Sequence, residues 1–232
     1  MDISTALNDV SSCQGFFVLT IGGDASDWVP IRRCYDDGYR DLIEATARRY
    51  GTAERLTATS LVHLAHATRL WSPMLACALL HGVVPDLAGL QRAAEGTALR
   101  LPAAVGYPVE GSIADHLYQI VVQEHLEKMA ASFAIRPARG LLAGNIASAL
   151  VGAAQALSGA HPELRGKIAD TTDDLFTLGI LADSGHVDGQ RYRRLRRRSC
   201  CLFYRTPGGS VCADCVFSQP PRRGPRIRRP TT

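Results

Sequence analysis

Residues 138–158, ARGLLAGNIASALVGAAQALS, predict a long helix that packs closely against its neighbours. The apolar side chains that recur at helical spacing are Leu142, Ile146, Ala149, Leu150, Ala153 and Leu157. Alanine or glycine occupies most other positions, so a second helix can approach closely. One polar residue, Asn145, falls on the apolar side, where we expect it to be packed and hydrogen-bonded rather than to bind a ligand. The stretch therefore predicts a mostly α fold.

The sequence around this stretch predicts further helices. Ser112-Ile-Ala-Asp115 has the form of a capping box, which would open a helix at residue 113. Ser72 followed by Pro73 is typical of an N-cap with proline at the first helical position, so a kinked or broken helix pair is expected there. The predicted helices are 31–50, 57–72, 73–81, 113–133, 138–158 and a last one from Pro162 to about 182, followed by a polar linker over 183–190.

Little of the sequence favours β structure. Residues 15–23, GFFVLTIGG, suit either a short strand or a loop that packs on the core. Residues 89–102 suit a small hairpin that turns at Glu95-Gly96. The predicted fold class is therefore mostly α: a helical domain with at most a small β element, followed by a C-terminal lobe.

Composition sets the broad class of the chain. With 232 residues, 46% of them hydrophobic, the chain can build one domain with a sizeable core. No apolar run reaches the length of a membrane span, and the N-terminal MDISTALND lacks the basic start and long apolar stretch of a signal peptide. Seven cysteines, an odd number, fit a reducing compartment with a metal site better than a disulfide framework. These features predict a cytoplasmic protein.

Four of the cysteines fall near the C-terminus in an unusual pattern: Cys200-Cys201, ten residues, Cys212 and Cys215. Residues 206–209, Thr-Pro-Gly-Gly, favour a turn that brings the two pairs together. A structural zinc site normally uses spaced cysteine pairs, whereas adjacent side chains diverge and suit two neighbouring metals better. A two-iron cluster takes four cysteine thiolates. The spacing favours an iron–sulfur cluster, with a structural zinc site, two disulfides or four unrelated thiols as alternatives.

The C-C-x10-C-x2-C spacing at the C-terminus resembles the ferric-siderophore reductase family of the FhuF type. The resemblance covers all four cysteines, with a looser likeness around Leu70-Trp71-Ser72-Pro73. It implies a [2Fe-2S] cluster on these cysteines and one-electron reduction of ferric iron in hydroxamate siderophores. The domains expected with it are a helical siderophore-reductase-like domain over 1–190 and a [2Fe-2S]-binding segment over 191–217. Residues 218–232 have four prolines, five arginines and no core residue except Ile227, so their composition predicts a disordered basic tail. The implied cluster ligands are Cys200, Cys201, Cys212 and Cys215.

Charge is distributed unevenly along the chain. Residues 191–232 hold twelve Arg and one acid, a net charge of +11, whereas the remainder holds 14 basic and 21 acidic residues, a net charge of −7. The arginine runs at 191–198 and 222–229 could be a solvated tail, a docking surface for an acidic electron donor such as a ferredoxin or flavodoxin, or an adventitious nucleic-acid contact. No nucleic-acid-binding motif supports the last of these. Near a cluster, Arg197, Arg198 and Arg205 are expected to raise its reduction potential.

The remaining polar candidates are interpreted as structural. His63 and His66 lie three residues apart on a predicted helix, but no carboxylate lies at the matching turn, so we expect polar-face or half-buried histidines. The acids and histidines within 115–127 lack the Glu-x-x-His spacing of di-iron bundles and suit a solvated helix face. Cys13, Cys34 and Cys77 are expected to be plain core or surface thiols.

The absence of other motifs narrows the function. The sequence has no G-x-G-x-x-G after a strand, no P-loop and no G-x-S-x-G elbow. We therefore expect no catalytic residue beyond the cluster, and electrons supplied by another protein. The alternatives are a non-enzymatic iron–sulfur sensor or binding protein and a zinc-stabilised interaction module.

Overall fold

The computed structural model describes residues 1–188 and 194–221. It is 54% helical and 12% strand, which confirms the mostly α fold class. The α-helices are α1 (Ser4–Ser11), α2 (Ile31–Asp36), α3 (Arg40–Arg49), α4 (Arg55–Ala76), α5 (Ile113–Leu117), α6 (Glu127–Ser132), α7 (Arg139–Ala160) and α8 (Arg165–Phe176). Wider π-helical turns occupy Cys77–His81 and Tyr118–Leu126, and 3-10 turns occupy Gly15–Phe17, Pro162–Leu164, Gly179–Leu181 and Phe203–Arg205.

The centre of the fold is the pair of long helices α4 and α7, which pack against each other along their length. Trp71 and Met74 of α4 and Leu150 of α7 are fully buried there. The predicted helix over 138–158 is confirmed as α7. By length and composition this helix could cross a membrane, but 67% of its apolar window is buried inside the protein. Burial against α4 explains its apolar character as that of a core helix.

Of the predicted kink or break at Ser72-Pro73, the break is wrong, because α4 continues through Pro73 to Ala76. Proline inside a helix costs ~3 kcal/mol. Burial of a large apolar side chain contributes about 1.5–3 kcal/mol. Trp71, which precedes the proline, and Met74, which follows it, are both fully buried. The Ser72 hydroxyl also donates to the Thr68 carbonyl (2.9 Å) rather than capping a new helix. Core packing therefore outweighs the local break signal.

Three other predicted segments have different limits. The helix over 31–50 is divided into α2 and α3 by Gly38 and Tyr39, whose φ angles are 63° and 54°. A Cβ at Gly38 would lie 2.8 Å from the Ser132 carbonyl oxygen, so glycine is required where the chain passes α6. The stretch 113–133 remains helical but widens into π geometry at its centre. The last helix, α8, ends at Phe176, before the predicted limit.

Short strands form three small sheets around the helices. The strands are β1 (Thr20–Ile21), β2 (Trp28–Pro30), β3 (Val83–Pro85), β4 (Gln91–Ala93), β5 (Leu99–Leu101), β6 (Gly106–Pro108), β7 (Gly185–Asp188) and β8 (Arg194–Arg197). The largest sheet has the order β1-β5-β4-β2, and β3-β6 and β7-β8 form separate pairs. The hairpin predicted over 89–102 is confirmed as the antiparallel pair β4 and β5, in which Gln91 lies opposite Arg100.

The predicted polar linker over 183–190 is wrong where the structure describes it, because Gly185–Asp188 forms strand β7. This strand pairs with β8, and Val187 lies opposite Leu195 in the register. Leu195 is buried in the core while the residues beside it face outward. The hairpin therefore joins the cysteine segment to the helical core through strand pairing. The predicted tail over 218–232 falls largely on residues 222–232, which lie outside the described residues.

Candidate metal centre

The cysteines lie in a loop that follows β8 and reverses direction twice. Leu202, directly after Cys200-Cys201, has a left-handed φ of 68°, and the chain then makes a 3-10 turn at Phe203–Arg205. Gly208 has a φ of 72°, which favours glycine. The amide of Cys215 donates to the Cys212 carbonyl (3.0 Å), closing the second pair into a tight turn. These turns bring the two halves of the motif together, as the Thr-Pro-Gly-Gly sequence predicted.

The sulfur atoms are close to one another and to backbone donors. The Sγ atoms of Cys201 and Cys212 are 3.3 Å apart. The Cys200 Sγ accepts the Leu202 amide (3.2 Å), and the Cys215 Sγ accepts the Phe217 amide (3.5 Å). All four cysteines are free thiols, which argues against the disulfide alternative. Backbone N–H groups aimed at sulfur are suited to thiolate ligands, because they stabilise negative charge on the sulfur.

Contacts within the loop favour ionisation at Cys201. The hydrogen bond with Cys212 is the main cause that lowers the pKa of Cys201 to about 6, assisted by the Phe203 amide and the Arg197 charge and opposed by burial. The same hydrogen bond raises the pKa of Cys212, as does burial. Burial raises the pKa of Cys200 to about 11, against the effect of the Leu202 amide. The contact with Cys212 therefore favours the thiolate form at Cys201.

The donor set, four cysteines in one loop, has the composition that a two-iron cluster requires. Within residues 1–188 and 194–221, no group of three or more His, Cys, Asp or Glu side chains has the arrangement to hold one metal ion. The four cysteines nevertheless lie together in one loop. A cluster with two iron atoms distributes four thiolates over two centres, so it does not require all four sulfurs around one point. The residues present therefore fit a [2Fe-2S] group.

The loop is anchored to the helical core by buried hydrogen bonds. Nη2 of Arg197 donates to Oδ1 of Asn145 (2.5 Å) on α7. Nδ2 of Asn145 donates to the carbonyl (2.9 Å) and hydroxyl (3.2 Å) oxygens of Ser60 on α4. The Ser60 hydroxyl in turn donates to the Cys201 carbonyl (2.8 Å). Asn145 is thus packed and hydrogen-bonded, as the sequence predicted, and it links both central helices to the cysteine loop.

The small residue Gly144 permits this close approach. A Cβ at Gly144 would collide with the Ser199 hydroxyl and would lie 2.9 Å from Nε of Arg197. The outer edge of the loop makes looser contacts: the rings of Tyr50 and Phe203 meet edge to face at 5.8 Å, and Arg205 pairs with Glu54 at 3.3 Å. Exposed ion pairs contribute little to stability, so the buried side of the loop determines where it docks.

One comparison with known proteins bears on this loop. Residues 197–217 match the family model described as the FhuF 2Fe-2S C-terminal domain. Over these residues the chain is similar to an FhuF-type 2Fe-2S domain. The match includes all four cysteines and Arg197, and it agrees with the fit of the donor set to a [2Fe-2S] cluster. No curated protein and no solved structure matches the chain.

The histidines interpreted from the sequence lie in the interior of the protein. His63 and His66 are fully buried, not on a polar face, and their ring nitrogens have no hydrogen-bond partner among the described residues. Burial lowers the pKa of His63 to about 4 and that of His66 to about 3. The predicted solvated face of 115–127 is also wrong at His125, which is buried and hydrogen-bonded through Nδ1 to the Tyr35 hydroxyl (3.0 Å). These histidines are core residues.

Two concave surfaces were not predicted from the sequence. A cleft of about 580 Å³ is lined in part by the hydrogen-bonded pair of Tyr35 and His125. An open groove of about 440 Å³ runs along α7 and β8 and reaches the Cys212–Cys215 turn. Residues from several separate helices, strands and loops line each of them, so no local sequence pattern could have predicted them. The groove is lined by Ser148, Val151, Gly152, Gln155, Arg194, Leu195, Ala213 and Asp214.

Proposed function

We propose that this protein is a [2Fe-2S] ferric-siderophore reductase, which reduces Fe(III) held in a hydroxamate siderophore by one electron and releases Fe(II) in the cytoplasm. The observation that carries the proposal is the FhuF-type segment, whose four cysteines meet in one loop docked on a helical core. The oxidoreductase activity and its siderophore substrate rest on this likeness.

Cys200, Cys201, Cys212 and Cys215 would hold the cluster. When bound, the cluster supplies the single electron that the reaction needs. The chain's contribution is to shield this loop, because Cys201 and Cys215 are buried while the other two cysteines are partly exposed. Backbone amides and the buried Arg197 provide positive potential around the sulfurs. Such surroundings tune the reduction potential of an iron–sulfur site.

The chemistry of release lies in the substrate. Hard oxygen donors such as hydroxamates hold Fe(III) more strongly than Fe(II), because the smaller charge weakens the attraction to the oxygens. Reduction therefore loosens the chelate and lets ligand exchange remove Fe(II). No acid, base or nucleophile from the protein is required for the electron step, so the reductase has no catalytic residue beyond the cluster ligands.

The groove beside the Cys212–Cys215 turn is the surface we assign to the incoming chelate. Its floor includes Ala213 and Asp214, which lie between two of the cluster cysteines. The electron donor would be an acidic protein such as a ferredoxin or flavodoxin, because the cysteine segment is basic and the sequence has no nucleotide-binding motif. The domain division into 1–190, 191–217 and 218–232 remains part of the proposal, with the β7–β8 hairpin connecting the first two.

Stopped-flow mixing tests the proposal. The reduced holoprotein is mixed with a ferric trihydroxamate, a ferric tris-catecholate or buffer, and reoxidation is followed in the visible range. Fast reoxidation by the hydroxamate, with one Fe(III) reduced per cluster and Fe(II) captured by a trap, is the expected result. NADPH alone should not support the reaction. If neither chelate reoxidises the protein faster than buffer, a non-enzymatic iron–sulfur sensor is the better assignment, and a colourless protein that contains zinc would indicate an interaction module.

A further inference from the structure

Arg197 is a charged side chain in the interior of the protein. Its residue surface is 1% exposed, and its Nε and Nη1 atoms have no hydrogen-bond partner within the part of the chain that the structure describes. A buried charge is costly unless it is paired and fully hydrogen-bonded. The structure therefore keeps an incompletely compensated positive charge at this position, and that cost calls for a functional reason.

The contacts of Arg197 orient its charge without cancelling it. Its closest partner, Asn145, is a neutral amide, and its second partner is the Leu141 carbonyl (3.5 Å). Among the described residues, the carboxylate of Asp214 forms an ion pair with Nη1 at 4.0 Å, a distance too long for a hydrogen bond. Because Ser60 binds both Asn145 and the Cys201 carbonyl, the guanidinium is fixed relative to the cysteine loop.

The neighbouring arginines differ from Arg197 in exposure. The side chain of Arg198 is 64% exposed and pairs with Asp183, and that of Arg205 is 41% exposed and pairs with Glu54. Solvent and salt screen exposed charges, whereas a charge in the interior acts through a lower dielectric. Of these three arginines, Arg197 is the one whose side chain is buried, and its ion-pair partner Asp214 lies 4.0 Å away rather than in hydrogen-bond contact.

We propose that Arg197 is a positioning residue that raises the reduction potential of the cluster, and that Asn145 and Ser60 hold its guanidinium in place for that role. Reduction adds a negative charge to the cluster, and a buried cation beside the thiolates stabilises the reduced form over the oxidised form. The inference rests on the [2Fe-2S] assignment within the proposed function, but not on the identity of the substrate.

Redox potentiometry of the reconstituted holoprotein, without any siderophore, tests the inference. Arg197→Gln should shift the reduction equilibrium at least tenfold toward the oxidised form, which corresponds to ~59 mV for one electron. Arg198→Gln is the matched control: it removes the same charge from the next residue, and its shift should be less than twofold. Arg197→Lys keeps the charge and should retain most of the wild-type potential.

A second variant keeps the test decisive if Arg197→Gln fails to hold the cluster. Asn145→Asp is nearly isosteric and places a carboxylate against the guanidinium. It should therefore also lower the reduction potential, by an amount that shifts the reduction equilibrium at least tenfold toward the oxidised form. Wild-type potentials in cluster-loaded Arg197→Gln and Asn145→Asp would overturn the inference. Loss of the cluster in every variant, Arg197→Lys included, would show that Arg197 has a structural role and would also overturn the inference. Because no siderophore is present, these outcomes are separate from failure of the reductase assay.

Discussion

The helical core and the cysteine loop are stabilised by different forces. In the core, large side chains such as Trp71, Met74 and Leu150 are fully buried, and apolar contact between α4 and α7 dominates. The loop buries few apolar groups of its own; it depends on turns, on the hydrogen bonds of Arg197 and Asn145, and on its four thiols. We therefore expect the core to fold without metal, whereas the cysteine loop requires the bound cluster to reach its full structure.

The largest expected effect is the loss of the cluster when one thiolate is removed. Cys201→Ser should abolish the cluster or strongly alter it, because that residue supplies one of four ligands. Iron and sulfide analysis, near two of each per wild-type chain, measures the result together with the visible spectrum. The helical signal in far-ultraviolet circular dichroism should persist. Cys13→Ser is the control and should keep the cluster; an intact cluster in Cys201→Ser would contradict the ligand assignment.

The second prediction concerns a substitution that destabilises the helical core and leaves the cysteine loop unchanged. Trp71 is fully buried in the C-terminal part of α4. Trp71→Ala should lower the free energy of unfolding by about 3–5 kcal/mol through lost burial and the cavity left behind. Denaturant unfolding followed by circular dichroism measures the change. Under native conditions the protein that remains folded should still carry its cluster, and a stability within 1 kcal/mol of wild type would contradict the assigned core.

The third prediction concerns the contact between the helical core and the cysteine loop. It compares two glycines of α7, Gly144 and Gly152. Gly144→Ala introduces a Cβ that collides with the Ser199 hydroxyl, whereas a Cβ at Gly152 meets nothing within 4 Å. Gly144→Ala should therefore destabilise the protein by about 1–3 kcal/mol and loosen the loop. Gly152→Ala should be neutral or stabilising by roughly 0.5–1 kcal/mol, since alanine favours helix. Chemical denaturation and amide exchange of the loop distinguish the two, and equal effects would mean that Gly144 does not set the docking.

The last prediction is a pH dependence that arises in the core and is absent at neutral pH. The pKa values of His63 and His66 are about 4 and about 3 in the folded protein, below the ordinary value of 6.5. The unfolded chain therefore binds more protons below pH 6.5, and stability is lost as pH falls from 6.5 toward 4. At pH 5 the loss should be about 2 kcal/mol per histidine. His66→Phe should reduce this pH dependence, while the same change at the exposed His186 should not, and unfolding at pH 7 and pH 5 compares them.

Much of the candidate metal centre could be predicted from the sequence, because the residues that define it are close together along the chain. The spacing of Cys200, Cys201, Cys212 and Cys215 and the turn residues between the pairs depend only on neighbouring residues. The apolar periodicity of α7 and the hairpin at 89–102 were predictable for the same reason. These features depend on backbone preferences over a few residues, and distant contacts did not overturn them.

Tertiary structure decided what depends on contacts between distant residues. Pro73 remains within a helix because the core buries the turns on both sides of it, and residues 185–188 form a strand because β8 supplies the partner. His63, His66 and His125 look polar in sequence, yet neighbouring elements enclose them. Arg197 is one basic residue in an arginine run by sequence, and only its position between α7 and the cysteine loop makes it a buried charge. Burial is a property of the assembled fold, so no local pattern could separate Arg197 from Arg198.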